Sequence, residues 1–219
     1  DETDDPQSRF TETLASEVLK RGIGDRATAS HATAMHSYSN AYADKLIGVI
    51  AESGLDVITN PMSNAALQGT YDSYPRRRGY TRIEELRAAG VSVGIGQDDI
   101  LTLINNYGDG DPLKNAFLLT HYAHMNGYNE VPGVWEMLLA ENAGIFGLAD
   151  YGLEPGNEGS LVVYDATDGF DALRMQSPRT LVVREGRPIA QSQHSTTLIR
   201  GGDREPVDFS RTPPAEVEL

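Results

Sequence analysis

The chain has 219 residues, a length that suits one large domain or one domain and a half. It has no cysteine. This excludes a disulfide scaffold, thiolate-held zinc or iron–sulfur sites, a thiol nucleophile and the deaminases whose zinc is held by a P-C-x-x-C pair. Its net charge is −14, from 18 basic and 32 acidic residues. General electrostatics therefore exclude binding to nucleic acid or to an anionic membrane surface.

The basic residues are mostly arginine, since only three of the 18 are lysine. An acidic, lysine-poor surface predicts a halophilic protein, in which high salt screens self-repulsion; an ordinary acidic cytoplasmic protein is the alternative. No stretch reaches the roughly 18 apolar residues needed to span a bilayer, and no apolar signal segment stands at the start. We expect a cytoplasmic location, and a processed or partial chain because residue 1 is aspartate.

Apolar spacing and turn residues predict a regular alternation of helices and strands over residues 1–150. In chain order these are a helix over 6–21, a strand over 27–30, a helix over 38–52, a strand over 56–59, a helix over 81–90, a strand over 91–95, and helices over 112–126 and 132–141. Pro6 suits the first position of the first helix. Thr81 and Glu84 predict a capping box for the third, and residues 60–80 are predicted to form a polar loop.

This alternation predicts an α/β fold with parallel strands and right-handed crossovers. The three predicted strands end near His31, Asn60 and Asp98. The carboxyl ends of parallel strands meet at one edge of a sheet, where a (β/α)8 barrel or an open α/β sheet carries its active site. The sequence therefore places three polar residues where chemistry is expected.

The pattern changes at about residue 151 to short β runs, over 161–164, 180–183 and 195–199. Glu185 and Gly186 lie between two arginines and predict a hairpin turn. We therefore expect one domain over 1–152 and a small β unit over 153–202. A charged, proline-rich tail over 203–219 follows.

Three residues are candidates for catalysis or binding on local grounds. Asp98 and Asp99 follow an apolar strand directly, and two carboxylates there are costly unless they bind a metal, accept hydrogen bonds or pair with cations. Capping of the next helix is the structural alternative. His31 at a strand end is either a hydrogen-bonded structural residue or a catalytic one. Glu2, taken in isolation, is best explained as an acid near a helix N-terminus.

Other motifs do not indicate a function. Residues 109–111 lack the further oxygen ligands of a calcium loop, because Leu113 and Ala116 occupy the positions where those ligands should be. The three arginines at 76–78 predict a loop held by salt bridges rather than a phosphate site, because the chain is so acidic. Motifs of serine hydrolases, P-loop enzymes and dinucleotide-binding proteins are absent from the sequence.

Taken together, several segments resemble the cytosine deaminase family of the metal-dependent amidohydrolase superfamily. Residues 1–5 (DETDD) resemble the end of the family motif H-x-D-E-x-D-D, and residues 28–38 resemble T-A-S-H-x-x-A-M-H-S-Y. Residues 60–79, 96–99 (GQDD) and 170–174 (FDALR) resemble the family's next strand and loop, its last barrel strand and its C-terminal β unit. The resemblance implies strands 6–8 of a partial (β/α)8 TIM barrel with their helices, followed by a small C-terminal β-sandwich portion.

The resemblance also implies roles for four residues. Glu2 would be the proton shuttle from the attacking water to the substrate ring nitrogen and the leaving ammonia. His31 would hydrogen-bond or polarise the attacking hydroxide, Asp98 would bind the metal and orient the hydroxide, and Asp99 would contact the pyrimidine. The implied cofactor is one divalent ion, Fe or Zn. The implied partners are a nucleobase substrate and further copies in a homo-oligomer, with no nucleic acid and no membrane.

Two departures from the family pattern bear on function. Residues 101–107 (LTLINNY) stand where the family usually has D-P-W-Y-P, which leaves open another ring substrate such as creatinine, isoguanine or an s-triazine. The chain also lacks the family's first-strand H-x-H, so that Asp98 is the one expected metal ligand present. The sequence thus predicts a hydrolase that converts cytosine to uracil and ammonia, here as a fragment that is inactive alone. A non-catalytic remnant that acts as an interaction protein is the alternative.

Overall fold

The computed structural model describes residues 2–103 and 105–192. Its contacts divide the chain into two compact units, Asp1–Asn157 and Glu158–Leu219. The second unit therefore begins at residue 158, where the sequence-based prediction placed the boundary at 153. Within the described ranges, every helix is too short or too polar to cross a membrane.

The first unit alternates helices with short strands, as the sequence predicts. Its elements are α1 (Phe10–Arg21), β1 (Thr28–Ser30), α2 (Asn40–Ser53), β2 (Asp56–Thr59), α3 (Pro61–Leu67), α4 (Ile83–Ala88), β3 (Val93–Ile95), α5 (Pro112–Tyr122), α6 (Val131–Glu136) and α7 (Asn142–Ile145). Short 3-10 turns over Gly24–Arg26 and Thr33–Ser37 precede β1 and α2, and a π-helical turn over Met137–Glu141 joins α6 to α7.

The three strands form one parallel sheet in the order β1-β2-β3. Val57 in β2 lies opposite Ala29 in β1 and Val93 in β3. The predicted parallel α/β arrangement is therefore confirmed for these strands. Since the strands run the same way, their carboxyl ends meet at one edge, and the chain leaves that edge at His31, Asn60 and Gly96.

The core of this unit is built from helix faces and from the interior of the sheet. Leu46, Ile47 and Ile50 recur at helical spacing in α2 and are 3%, 5% and 0% exposed. Val57 and Val93 in the sheet are each 0% exposed. Burial of such a side chain contributes about 1.5–3 kcal/mol, so these residues account for much of the stability of the layer that holds the strand ends.

Two sequence predictions near the site are wrong, namely the start of the first helix and the loop over residues 60–80. Pro6 lies in a turn rather than in α1, because the amide N–H groups of Gln7 and Ser8 donate to the Asp5 carboxylate (2.8 Å) and the Asp5 carbonyl (3.0 Å). Residues 61–67 form helix α3 inside the predicted loop, with Pro61 at its start. Proline suits that position because N–H groups in the first turn of a helix have no partner within the helix, so a residue without an N–H loses no hydrogen bond there.

The predicted capping box at Thr81 and Glu84 is also wrong. Helix α4 begins at Ile83, and its N-cap residue makes no side-chain capping bond. The Thr81 hydroxyl instead donates to the His31 carbonyl at 2.6 Å and lies 3.0 Å from the Thr59 hydroxyl. Thr81 is 1% exposed, and its hydroxyl makes long-range hydrogen bonds in the interior in place of the predicted capping bond to its own helix.

The outer edge of β3 is bonded by side chains from the helices that follow it. Ser92 and Gly96, on either side of this strand, hydrogen-bond to β2, so Val93 and Ile95 direct their main-chain groups to the other side. The Val93 N–H donates to Glu141 Oε2 at 2.6 Å, and Asn142 Nδ2 donates to the Ile95 carbonyl at 2.9 Å. Arg87 holds Glu141 in place with two donated bonds of 2.8 and 3.0 Å.

The second unit is described up to residue 192 and contains β4 (Leu161–Tyr164), α8 (Gly169–Met175), β5 (Arg179–Arg184) and β6 (Arg187–Gln191). The strands form an antiparallel sheet in the order β4-β5-β6. The predicted turn is confirmed, since Glu185 and Gly186 both have positive φ, at 50° and 72°, as a type I′ hairpin requires. The predicted strand over 195–199 and tail over 203–219 lie outside the described residues, and a sandwich stays a prediction.

Candidate functional site

The structure brings together two of the predicted catalytic residues. His31 follows β1 and Asp98 follows β3, the two outer strands of the sheet order β1-β2-β3. His31 Nε2 lies 3.7 Å from Asp98 Oδ2, and the side chains are 12% and 31% exposed. A basic nitrogen and a carboxylate therefore face each other, with access to solvent, at the edge where parallel sheets carry active sites.

Both residues of this pair have a left-handed backbone. The φ angle is 68° at His31 and 59° at Asp98. Such a conformation costs a residue other than glycine roughly 1–3 kcal/mol and persists only where neighbours enforce it. At His31 they do so from both sides, since its N–H donates to the Ile58 carbonyl at 2.8 Å and its carbonyl accepts from Thr81 at 2.6 Å.

Asn64 in α3 orients the His31 ring. It is 2% exposed, and its Oδ1 lies 2.8 Å from His31 Nδ1. Because an amide oxygen only accepts hydrogen bonds, Nδ1 carries the hydrogen in this arrangement. With the hydrogen on Nδ1, a neutral ring has its lone pair on Nε2, the atom that faces Asp98. His31 can therefore accept a hydrogen bond from a water molecule or a substrate held beside the carboxylate.

A buried amide supports the turn that carries Asp98 and Asp99. Asn115 in α5 is 0% exposed, and its Nδ2 donates to Gln97 Oε1 at 2.5 Å. Gln97 Nε2 in turn donates to the Asp99 carbonyl at 3.2 Å. The Asn115 side-chain oxygen Oδ1 accepts from the backbone N–H of Met62 at 3.3 Å, which links this turn to the start of α3.

Glu2 lies in the segment before α1 and is joined to the His31 loop through main-chain bonds. The Glu2 carbonyl accepts a hydrogen bond from Gln68 Nε2. The next carbonyl, of Thr3, accepts from the hydroxyl of Thr33 at 3.0 Å, and Thr33 lies two residues after His31. The structure thus connects the Glu2 segment to the His31 loop, and it shows direct side-chain contact for the His31–Asp98 pair alone among the described catalytic candidates.

A cavity of about 570 Å³ adjoins Glu2. Its lining includes Asp4, Gln68, Tyr71 and Arg77. Among the described lining residues, Glu2 is the one predicted catalytic residue, so this cavity lies beside the His31–Asp98 pair rather than around it. Its size would admit a small heterocycle.

The donors at the His31–Asp98 pair suit a divalent ion of the predicted kind. Imidazole nitrogen and carboxylate oxygen are ligands that zinc and iron accept in proteins. No group of three or more His, Cys, Asp or Glu side chains that could hold a metal occurs within residues 2–103 and 105–192. The pair therefore fits as part of a metal site, with Asp98 as a ligand, and not as a complete one.

His36 lies five residues beyond His31 and titrates abnormally. Burial lowers the pKa of its imidazole, and the neighbouring guanidinium groups of Arg77 and Arg82 lower it further. The Asp4 carboxylate and a hydrogen bond with the Tyr80 backbone oppose this shift. His36 therefore favours the neutral form in the folded chain.

We expect the substitution His36→Gln to flatten the pH dependence of stability. Below a pH of about 6.5 the unfolded chain takes up a proton that folded His36 resists, and this favours unfolding. The stability that neutral His36 contributes to the folded chain is therefore complete above that pH, and it is lost as the pH falls through the lowered folded pKa. Urea unfolding of the 219-residue chain between pH 7 and pH 5 measures this slope. His121→Gln, on the exposed face of α5, is the control; equal slopes for the parent and His36→Gln would contradict the prediction.

Sequence reasoning missed the residues that orient the site. Asn64 and Asn115 belong to no motif with its own chemistry, Thr81 is predicted only to cap a helix, and Gln97 appears only within the GQDD segment. A signal existed for Asn64: Pro61 at the start of a helix places Asn64 one turn later, on the same side as Asn60, which directly follows β2. For the others no local pattern exists, since the bonds Gln97–Asn115, Thr81–His31 and Asn115–Met62 join residues 18, 50 and 53 apart.

Comparison with known proteins shows which family the chain resembles. The model of the Amidohydrolase family matches residues 1–190. A 5-methylcytosine deaminase from Klebsiella pneumoniae, solved with 5-fluorocytosine, is similar over 91% of this chain and 48% of its own, with 38% sequence identity and a TM-score of 0.85.

Two curated relatives show weaker similarity in sequence. A pterin deaminase from Rhizobium rhizogenes is 28% identical over 197 residues, which is 88% of this chain and 44% of that protein. An N-isopropylammelide isopropyl amidohydrolase from Pseudomonas sp. is 25% identical over 181 residues, 82% of this chain and 42% of that protein. The chain spans less than half the length of these relatives. With the family model matched along the whole first unit and into the second, the chain belongs to the Amidohydrolase family.

Proposed function

We propose that the protein carrying this chain is a metal-dependent hydrolytic deaminase of nitrogen heterocycles, with cytosine as its substrate. The observation that carries the proposal is the His31–Asp98 pair, with His31 Nε2 3.7 Å from Asp98 Oδ2 at the carboxyl edge of the sheet. The similarity to deaminases of 5-methylcytosine and pterin supports the reaction class. Both names describe loss of an amino group from an aromatic ring.

In the proposed reaction cytosine and water give uracil and ammonia. The water oxygen bonds to the ring carbon that carries the amino group, and the bond from that carbon to nitrogen breaks. A bound divalent ion supplies a nucleophile at neutral pH, because it lowers the pKa of water toward 7. Asp98 would hold that ion.

The chain's own residues would then orient the reactants and move the protons. His31, with its lone pair on Nε2, would accept a hydrogen bond from the attacking water and fix its direction. Glu2 would take the first proton that the water releases and deliver it to the ring nitrogen, and would then carry the second, from the new hydroxyl on the ring carbon, to the departing ammonia. Asp99, next to Asp98 in the same turn, would bind the polar edge of the ring.

The segment after Asp99 favours a second candidate substrate class. Leu101 and Leu103 expose 69% and 106% of their surface, and they lie two and four residues after Asp99. An apolar segment here suits a ring that carries an alkyl substituent, and one relative is named for an N-isopropyl compound. A hydrolase acting on an alkylamino-s-triazine is therefore the alternative to a cytosine deaminase.

A substrate panel tests the proposal. The product of the whole gene, supplied with Fe²⁺ or Zn²⁺, is incubated with cytosine, 5-methylcytosine, isoguanine, creatinine, pterin and an isopropylamino-s-triazine, and released ammonia or amine is measured. We expect the highest kcat/KM with cytosine. The 219-residue chain is assayed beside it, and we expect no turnover, because its described residues form only part of a metal site.

The other outcomes decide between the remaining candidates. Preference for the triazine would replace cytosine by the alternative substrate class. Absence of turnover on every compound, in a folded protein with bound metal, would contradict the deaminase and favour a non-catalytic remnant.

A further inference from the structure

Arg77 differs sharply from the arginines on either side of it. Arg76 and Arg78 are exposed; the former lies over the Tyr74 ring at 5.5 Å, and the latter donates to the Arg77 carbonyl at 3.1 Å. Arg77 exposes 35% of its side chain and makes bonds to three separate segments. Among these three adjacent arginines, Arg77 is therefore the one whose guanidinium bonds to several segments of the chain, and Arg76 and Arg78 serve for comparison.

Asp72 fixes the orientation of the Arg77 guanidinium. Arg77 Nε and Nη2 donate to Asp72 Oδ2 and Oδ1 at 2.9 and 2.7 Å, and the Arg77 backbone N–H donates to Oδ2 at 3.0 Å. This contact holds the pKa of the Asp72 carboxyl well below its usual range. A fork of two parallel bonds restricts the plane of the guanidinium, so its remaining nitrogen, Nη1, points in a defined direction.

That remaining nitrogen joins the two segments that carry Glu2 and His31. Arg77 Nη1 donates to the Asp4 carbonyl at 2.8 Å and to the Ser37 hydroxyl at 2.9 Å. Asp4 lies two residues after Glu2, and Ser37 lies six residues after His31. One planar group thus spans the distance between the two loops.

The Glu2 segment is fixed further by the residues just before Arg77 in the chain. Gln68 Oε1 accepts from the Asp4 N–H at 3.0 Å, and the Gly69 N–H donates to Asp4 Oδ2 at 3.1 Å. Asp4 and Gln68 are each 8% exposed. A Cβ at Gly69 would lie 2.1 Å from the Arg77 carbonyl oxygen, so this loop approaches itself as closely as glycine permits.

We propose that Arg77 is a positioning residue that sets the Glu2 segment and the His31 loop at the separation the reaction needs. The proposal rests on the proposed function, in which Glu2 and His31 act on the same water. Arg77 contacts neither side chain, so it acts through Asp4 and Ser37. Lysine cannot replace it, because a single ammonium cannot bind Asp72 by two bonds and still reach both loops.

We expect Arg77→Lys, in the metal-loaded product of the whole gene, to lower kcat about 10–100-fold with little change in KM, since a displacement of about 1 Å can cost that much. Arg78→Lys should leave both constants unchanged. In a Glu2→Gln background the further loss from Arg77→Lys should disappear, because a positioning residue has no effect once the group it positions is removed. An equal fold-loss in both backgrounds would overturn the proposal.

Hydrogen–deuterium exchange on the 219-residue chain gives a readout that needs no activity. We expect Arg77→Lys to speed exchange together in peptides covering residues 2–8 and 33–38, while peptides of α2 and β2 stay protected and Arg78→Lys changes neither. Faster exchange throughout the chain, or in one of the two peptides only, would overturn the proposal. If Arg77→Lys does not fold, Ser37→Ala removes the link to the His31 loop alone and should speed exchange in 33–38.

The two arms separate this proposal from the proposed function. Absence of turnover in the parent protein defeats the proposed function, whereas the exchange result still decides whether Arg77 holds the two segments together. Turnover in the parent with unaltered kcat in Arg77→Lys defeats the positioning role and leaves the deaminase intact.

Discussion

Replacing Glu2 with glutamine is expected to lower kcat about 10²–10⁴-fold, the usual contribution of a positioned general acid–base group. Glutamine keeps the size of the side chain, and the bond from Gln68 Nε2 goes to the Glu2 main-chain carbonyl, so the segment should keep its place. What is lost is a group that can take up and release a proton. The measurement is steady-state kinetics on the whole gene product with the substrate that it prefers.

Two measurements keep this prediction specific to proton transfer. Metal content should be unchanged in Glu2→Gln, because Glu2 is not a predicted ligand. Glu52→Gln alters another exposed glutamate, on α2, and should retain full kcat. A Glu2→Gln protein that keeps the parent's kcat would show that another group carries the proton.

The substitution Asp98→Asn should remove both bound metal and activity. Loss of a residue that only supports a metal ligand costs about 10–100-fold in affinity or activity, and loss of a ligand's own charge should exceed this. Asparagine is the appropriate probe because the φ angle at this position is 59°, which asparagine tolerates better than most residues. Metal content by elemental analysis and kcat are measured on the same preparation.

Comparison with Asp99→Asn separates the two adjacent carboxylates. If Asp99 binds the ring and not the ion, its substitution should raise KM and leave metal content intact. Asp109→Asn, in an exposed loop where Asp109 pairs with Lys114 at 2.7 Å, serves as the neutral control. Equal metal loss in the variants at 98 and 99 would contradict the assignment of Asp98 as the ligand from this pair.

The sequence predicts well those parts of the fold that local periodicity determines. Strand β2 lies at Asp56–Thr59, as predicted, because an apolar run bounded by Gly54 and Asn60 has one register that buries it. Helix α3 was missed because its seven residues are too few to show a helical period. The capping box failed at Thr81 because its hydroxyl had a better partner 50 residues away, in His31.

The candidate site likewise contains residues that the sequence predicts and residues that it does not. His31 and Asp98 could be predicted because each lies within three residues of the end of a strand, and the carboxyl ends of parallel strands meet at one edge of a sheet. The residues that hold them could not, because the bonds Asn64–His31 and Gln97–Asn115 join side chains that have no fixed spacing in sequence. Arg77 was correctly expected to form salt bridges, yet sequence alone does not distinguish it from Arg76 or Arg78.

The bonds at the outer edge of β3 bear on how this sheet can grow. Glu141 and Asn142 already occupy the Val93 N–H and the Ile95 carbonyl, which are the groups that a further strand would have to bind. A strand added there would exchange existing hydrogen bonds for new ones, and would have to separate Glu141 from Arg87. Within the described residues, strand pairing at this edge therefore requires the Glu141 and Asn142 side chains to give up their bonds to β3 first.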